Sequence, residues 1–147
     1  MVELIAVLLL AGTLAAVAMP RLNMALSLRS AGWRDQVLAA LLQARSIAQG
    51  HRRLVCAALV TGEVRLTVAS VNPASSCSTA LTGADGDARW AFDSNGYALS
   101  VTPSGTLYFQ PDGRITSDGA GVTSVNASIA VAGESAISVV GETGHVQ

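Results

Sequence analysis

Residues that carry chemistry are scarce in this chain. Its 147 residues include two histidines and two cysteines. A tetrahedral zinc site wants three or four ligands, and only His51 and His145 could join the thiols, so no metal site is expected. There is no G-x-S-x-G nucleophile elbow, and no Gly-rich phosphate loop stands between a strand and a helix. Acyl-transfer and phosphate-dependent chemistry therefore lack their usual parts, and neither enzymatic activity nor a cofactor is expected. Aromatic residues make up 4% of the chain. Trp33, Trp90, Tyr108 and Phe109 accordingly read as core or interface packing, not as a ligand box. No internal repeat of useful length and no low-complexity tail is present.

Positive charge is scarce in the larger, C-terminal part. Met1 to Arg53 holds six arginines against Glu3 and Asp35, a net +4, whereas Leu54 to Gln147 holds three arginines against eight acids, a net −5. An acidic outer region does not favour a polyanion whose affinity comes largely from phosphate neutralisation, so nucleic acid is not an expected partner. Asp85, Asp87 and Asp93 suggest a calcium loop only superficially. The closing bidentate acid of a helix-loop-helix site would fall on Gly96, and solvated turns are the reading that remains.

What the chain does have is one long apolar run, Met1 to Met19, broken by a single ionisable side chain, Glu3. Nineteen helical residues reach about 28 Å, close to the roughly 30 Å hydrocarbon core of a bilayer, so a membrane span is expected. An acid in such a span is costly unless it sits at the interface or finds a partner, which makes Glu3 a functional candidate. No basic segment precedes the run, so a cleaved secretory signal is not expected.

From Pro20 to Gln49 apolar residues recur at helical spacing, with Val37, Leu41, Ala44 and Ala48 on one stripe and Leu38 and Leu42 beside it. Pro20 should kink or interrupt the helix, and Gly50 should stop it. The expected element is one long, kinked N-terminal helix over 1–50, membrane-spanning over 1–19 and amphipathic over 20–50. The basic cluster His51-Arg52-Arg53 then suits the negative end of the helix dipole better than a phosphate.

After Gly50 the period changes to two. Strands are expected at Leu54 to Leu59, Glu63 to Val71, Leu99 to Val101, Thr106 to Gln110, Ser128 to Val131 and Ile137 to Val140. Turn chemistry separates them at Thr61-Gly62, Pro111-Asp112-Gly113, Gly119 to Gly121 and Gly133-Glu134. Asn72 to Gly96 reads as a long surface loop with a short strand at Arg89 to Phe92. The fold class expected is α+β, the helix packed on an antiparallel β-rich domain over 51–147. Cys56 and Cys77 are expected to pair if the domain is exported, closing a loop worth about 3 kcal/mol in the chain-entropy model.

The run from Met1 through Gly12, with Leu14 to Leu22 including Pro20, closely resembles the N-terminal segment of type IV pilins and pseudopilins. Asp35-Gln36-Val37, Gln43 to Ala48 and the strand holding Cys56 resemble minor pilins of the GspH/FimT group. The ending Ser138 to Val146, with the pair Cys56 and Cys77, is most similar to minor pilins of mannose-sensitive haemagglutinin pili.

The resemblance implies a pilin-like fold and a structural subunit of a bacterial type IV pilus. It further implies a single-pass inner-membrane location with a periplasmic C-terminal domain before assembly into the filament. In that family a Gly-Phe-Thr site precedes the run, prepilin peptidase cuts it and the new amine is methylated; such a site is expected just upstream of Met1. The implied partners are other pilin subunits through the N-terminal helix, prepilin peptidase and the inner-membrane assembly platform. Glu3 would pair with the N-terminal amine of a neighbouring subunit, and Pro20 would loosen the helix for packing. A type II secretion pseudopilin is the structural alternative, and a DNA-binding or adhesive pilin another. DNA-binding members of the group carry Gly-Arg-x-Arg where this chain has Gly144-His145-Val146-Gln147. Both arginines are absent, which speaks against DNA capture.

Overall fold

The stripe of Trp33, Val37, Leu41, Ala44 and Ala48 returns to one helix face every three or four residues, and each of these side chains is buried. The computed structural model describes residues 2–147, with the side chains at 19, 20 and 22–27 outside the description. Helix α1, Val2–His51, is assigned without a break. Its 50 residues reach about 75 Å. The expected interruption at Pro20 is therefore absent from the backbone, while the Pro20 side chain lies outside the described residues.

The helix ends slightly later than Gly50 predicts, because the left-handed residue that stops it is Arg52, with φ +50°. Arg53 N–H then bonds back to the Ala48 carbonyl at 3.1 Å, the six-to-one bond of a Schellman ending. A left-handed arginine costs roughly 1–2 kcal/mol, which this bond helps offset.

Ten strands follow: β1 Val55–Val60, β2 Glu63–Val68, β3 Thr79–Leu81, β4 Ala91–Phe92, β5 Leu99–Thr102, β6 Leu107–Phe109, β7 Ile115–Thr116, β8 Ala127–Val131, β9 Ile137–Val140 and β10 His145–Val146. The class is α+β with antiparallel sheets. One sheet runs β3-β2-β1-β6-β7, with β4 also paired to β2; the other runs β10-β9-β8-β5. β1 and β2 form a two-residue hairpin, Val60 opposite Glu63, across a turn in which Gly62 takes φ +75°. Only glycine adopts that conformation without strain.

Alternation sets which face each strand buries. In β8, Ala127, Ile129 and Val131 point inward while Ser128 and Ala130 are exposed. These side chains meet Val55, Ala57, Leu66 and Phe109 from the other sheet and the α1 stripe in one core. Ala40, Ala44 and Ala48 are fully buried, small enough to let the helix lie close on the strands. A satellite cluster on the opposite face of β1 holds Leu54, Cys56 and Ala69, with Ala74, Cys77 and Tyr108 against it.

Three strands depart from expectation. β3 lies inside the segment read as loop, and β7 and β10 were not expected; each has two or three residues. Strand β2 stops at Val68, short of the expected Val71, because Ala69 N–H turns to the Leu54 carbonyl at 2.9 Å.

The membrane expectation is corrected. Among the described residues no helix is long and apolar enough to cross a membrane. The uncharged run from Leu4 to Pro20 covers about 26 Å as helix, short of a hydrocarbon core of roughly 30 Å. The assignment of 1–19 as a span, and the single-pass inner-membrane location with a periplasmic domain that depended on it, are withdrawn with it.

Candidate assembly surface

Every described side chain from Val2 to Ala18 is exposed. Val2, Leu4, Ile5, Val7, Leu8, Leu9, Leu10, Leu14 and Val17 each keep 60% or more of their surface in solvent. The N-terminal part of α1 thus projects from the body as an arm that is apolar on all sides. Among the described side chains of α1, the first buried ones are Ser30 and Trp33. A shallow groove lined by Ile5, Leu8, Leu9, Gly12, Thr13 and Ala16 runs along the arm. Thr13 returns its hydroxyl to the Leu10 carbonyl at 2.9 Å, so it asks nothing of a neighbour.

Glu3 occupies the first turn of α1, where the helix dipole favours an acid. It is exposed and makes no hydrogen bond or ion pair with any other described residue. Its charge is therefore free to meet a cation from outside. Pro20, the other residue assigned an assembly role, falls outside the described side chains.

The root of the arm is fastened by polar contacts that no sequence pattern announces. Ser30 donates to the Glu134 carboxylate at 2.6 Å, and Arg34 Nε donates to the Ser135 carbonyl at 2.8 Å. Both partners sit in the β8–β9 turn, more than 100 residues away in sequence. Beside this root lies an open cleft of about 450 Å³, walled by Arg29, Trp33 and Gln36 of α1 and by Asp93 to Asn95. Trp33 is buried as expected, and its indole N–H has no partner among the described residues.

Farther along, Arg45 Nη2 donates to the Thr143 carbonyl at 3.2 Å. Gly144, at φ +63°, lies so close to Gly113 that a side chain there would strike its carbonyl. These contacts bring the β9–β10 turn and the β6–β7 turn to the last turns of α1.

Cys56 and Cys77 are joined, with Cα atoms 6.1 Å apart. His51, Arg52 and Arg53 follow at the end of α1 and form no ion pair with the described acids. The three aspartates once compared with a calcium loop serve separate turns. Asp87 holds Arg89 in a two-toothed pair at 3.0 and 2.5 Å, and that hydrogen bond draws its pKa down to about 2. Asp93 accepts from Tyr97 N–H at 2.8 Å, and Asp85 accepts from Asp87 N–H at 3.1 Å. Arg89 also stacks over Phe92 at 4.0 Å, pinning this loop to β4.

Asp118 closes another turn, accepting from Val122 and Thr123 N–H at 3.0 and 2.8 Å. Those two bonds hold its pKa below the usual carboxylate value. Chemically, then, the described surface offers a large apolar area with one unpaired acid at its end, carried on a body in which aspartates brace several of the loops. No family model, curated protein or solved structure matches this chain.

Proposed function

We propose that this chain is a non-enzymatic structural subunit of a helical filament of the type IV pilus kind, acting as a minor pilin. The observation that carries the reading is the exposed apolar arm of α1 with Glu3 unpaired in its first turn. A helix apolar on every side has no stable place in water and must be covered by other protein or another apolar phase. Arms of neighbouring subunits supply that cover when they pack side by side, the small residues Gly12 and Ala16 allowing close approach. Inside such a bundle an unpaired carboxylate would be severely disfavoured, so Glu3 sets axial register by meeting the N-terminal amine of an adjacent subunit. The β domain stays outside the bundle and selects neighbours or surface ligands. Processing by a prepilin peptidase and delivery by an assembly platform belong to the same reading.

The test is incorporation. A tagged full-length chain carrying Glu3→Leu replaces the native copy, and sheared filaments are probed for the tag. Loss from filaments with normal cellular abundance and an unchanged circular dichroism spectrum is expected. Incorporation at the native level would overturn the role given to Glu3.

A further inference from the structure

The segment from Ser70 to Cys77 is held to the body in an unusual way. Among the described residues, positions 70–76 make no hydrogen bond; the nearest ones, Ala69 N–H to Leu54 and Ser78 N–H to Val68, lie at its two ends. The hydrophobic residues it packs on the satellite cluster are Ala74 and Cys77. Cys77 Sγ lies 3.6 Å from the Leu54 carbonyl, but a bridged sulfur has no proton to donate, so this is contact only. On its other side the segment lies against the 117–123 loop, where Pro73 to Ser75 face Ala120 and Gly119 fits against the Ser75 carbonyl so closely that any Cβ at 119 would overlap it.

The surface on which Ser75 rests is rigid for its own reasons. The Gln110 side chain, 8% exposed, donates to Thr116 Oγ1 at 2.9 Å and reaches the Asp118 and Gly119 carbonyls at 3.4 Å. Ser117 N–H bonds the Thr123 carbonyl at 3.0 Å, and Asp118 caps the same loop. The 117–123 loop therefore does not need the 70–77 segment, whereas that segment depends on its disulfide.

That disulfide is also reachable. An open cleft of about 330 Å³ is lined by both cysteines together with Arg65, Ser75 and Tyr108. Cys56 is 7% exposed, while Cys77 is only half-buried. We propose that residues 70–77 form a redox-operated lid, clasped over Leu54, Cys56 and Tyr108 by the Cys56–Cys77 bond and released as a unit when a dithiol reductant cleaves it.

The chemistry is thiol–disulfide exchange. One thiolate of the reductant attacks Cys77 Sγ, the S–S bond breaks, and Cys56 leaves as the thiolate and takes a proton. The second thiol of the reductant then displaces Cys77, so the reductant ends as a disulfide and the protein as two thiols. Two electrons and two protons pass to the protein. With the clasp open, no hydrogen bond of residues 70–76 opposes the entropy of the free segment, and the lid opens while β1 and β2 stay paired.

The test uses the full chain at neutral pH with dithiothreitol. Native-state proteolysis with a broad-specificity protease, read by mass spectrometry, should cut within 70–77 about ten-fold or more faster after reduction. Amide exchange of β1 and β2 should stay as slow as in the oxidised chain. Gly119→Ala, at a residue without a left-handed φ, should raise cleavage within 70–77 even with the disulfide intact. Three results would each overturn the lid: a cleavage rate unchanged by reduction, loss of β1–β2 protection together with the segment, or a disulfide that resists the reductant until the protein unfolds.

Discussion

Ser30 and Glu134, 104 residues apart, share a 2.6 Å hydrogen bond at the point where α1 leaves the body. With Arg34 on the Ser135 carbonyl, it locks the β8–β9 turn to the root of the arm. Ser30 is buried, so Ser30→Ala leaves the carboxylate short of a donor. A charged partner makes such a bond worth about 1.5–3 kcal/mol, and a loss in that range is expected in urea unfolding. Ser128→Ala, on the exposed side of β8, should change stability by less than about 0.5 kcal/mol in the same assay.

Phe109 anchors the other side of the core. It is 1% exposed, lies opposite Val55 in one neighbour and Ile115 in the other, and joins the α1 stripe. Phe109→Ala should cost about 3–5 kcal/mol. Against a total stability of about 5–15 kcal/mol, that loss should move the denaturant midpoint far enough to leave the chain marginally folded.

Acid should act on the braced loops first. The Arg89 hydrogen bond holds Asp87 at about 2, below its ordinary 3.8. A carboxylate depressed in the fold contributes stability above its unfolded pKa, and that contribution fades as pH falls through the folded value. The window therefore lies between 3.8 and about 2. Across it, the thermal midpoint of the native chain should fall more steeply than that of Asp87→Asn. Because the pair is only half-buried and open to solvent ions, added salt should shrink the difference.

Two glycines separate conformational strain from close approach. Gly86 has φ +81° and open space where a methyl group would sit, whereas Gly144 has φ +63° and backs onto the Gly113 carbonyl. Gly86→Ala should cost about 1–2 kcal/mol, the left-handed penalty alone. Gly144→Ala should cost clearly more, since either the β9–β10 turn or the β6–β7 turn has to move. Paired chemical denaturation curves give the comparison directly.

The parts of the fold that were legible are those fixed by local period. The stripe from Val37 to Ala48 declared its buried face because helical spacing depends only on the chain's own residues, and Ile137–Val140 was marked by alternation in the same way. Thr79–Leu81, Ile115–Thr116 and His145–Val146 were not legible: strands of two or three residues have no period, and each exists because a longer neighbour offers a ladder edge. Arg52 concealed the helix end, since a glycine two residues earlier carried the stronger local signal. Of the proposed assembly surface, Glu3 stood out as the only acid in an apolar run, while the reach of that run as a span was overestimated. The Ser30–Glu134 fastening was invisible, because nothing in either neighbourhood names the other.

The burial pattern of α1 has a mechanical consequence. A pull along the arm enters the body through Ser30 and Arg34 and then through Trp33, Val37, Leu41, Ala44 and Ala48, all seated in one core. Those contacts lie side by side along the helix and share the load in shear, unlike a strand end, which yields one hydrogen bond at a time. The helix is thus a rod set in a socket, and the sheets it crosses act as the grip.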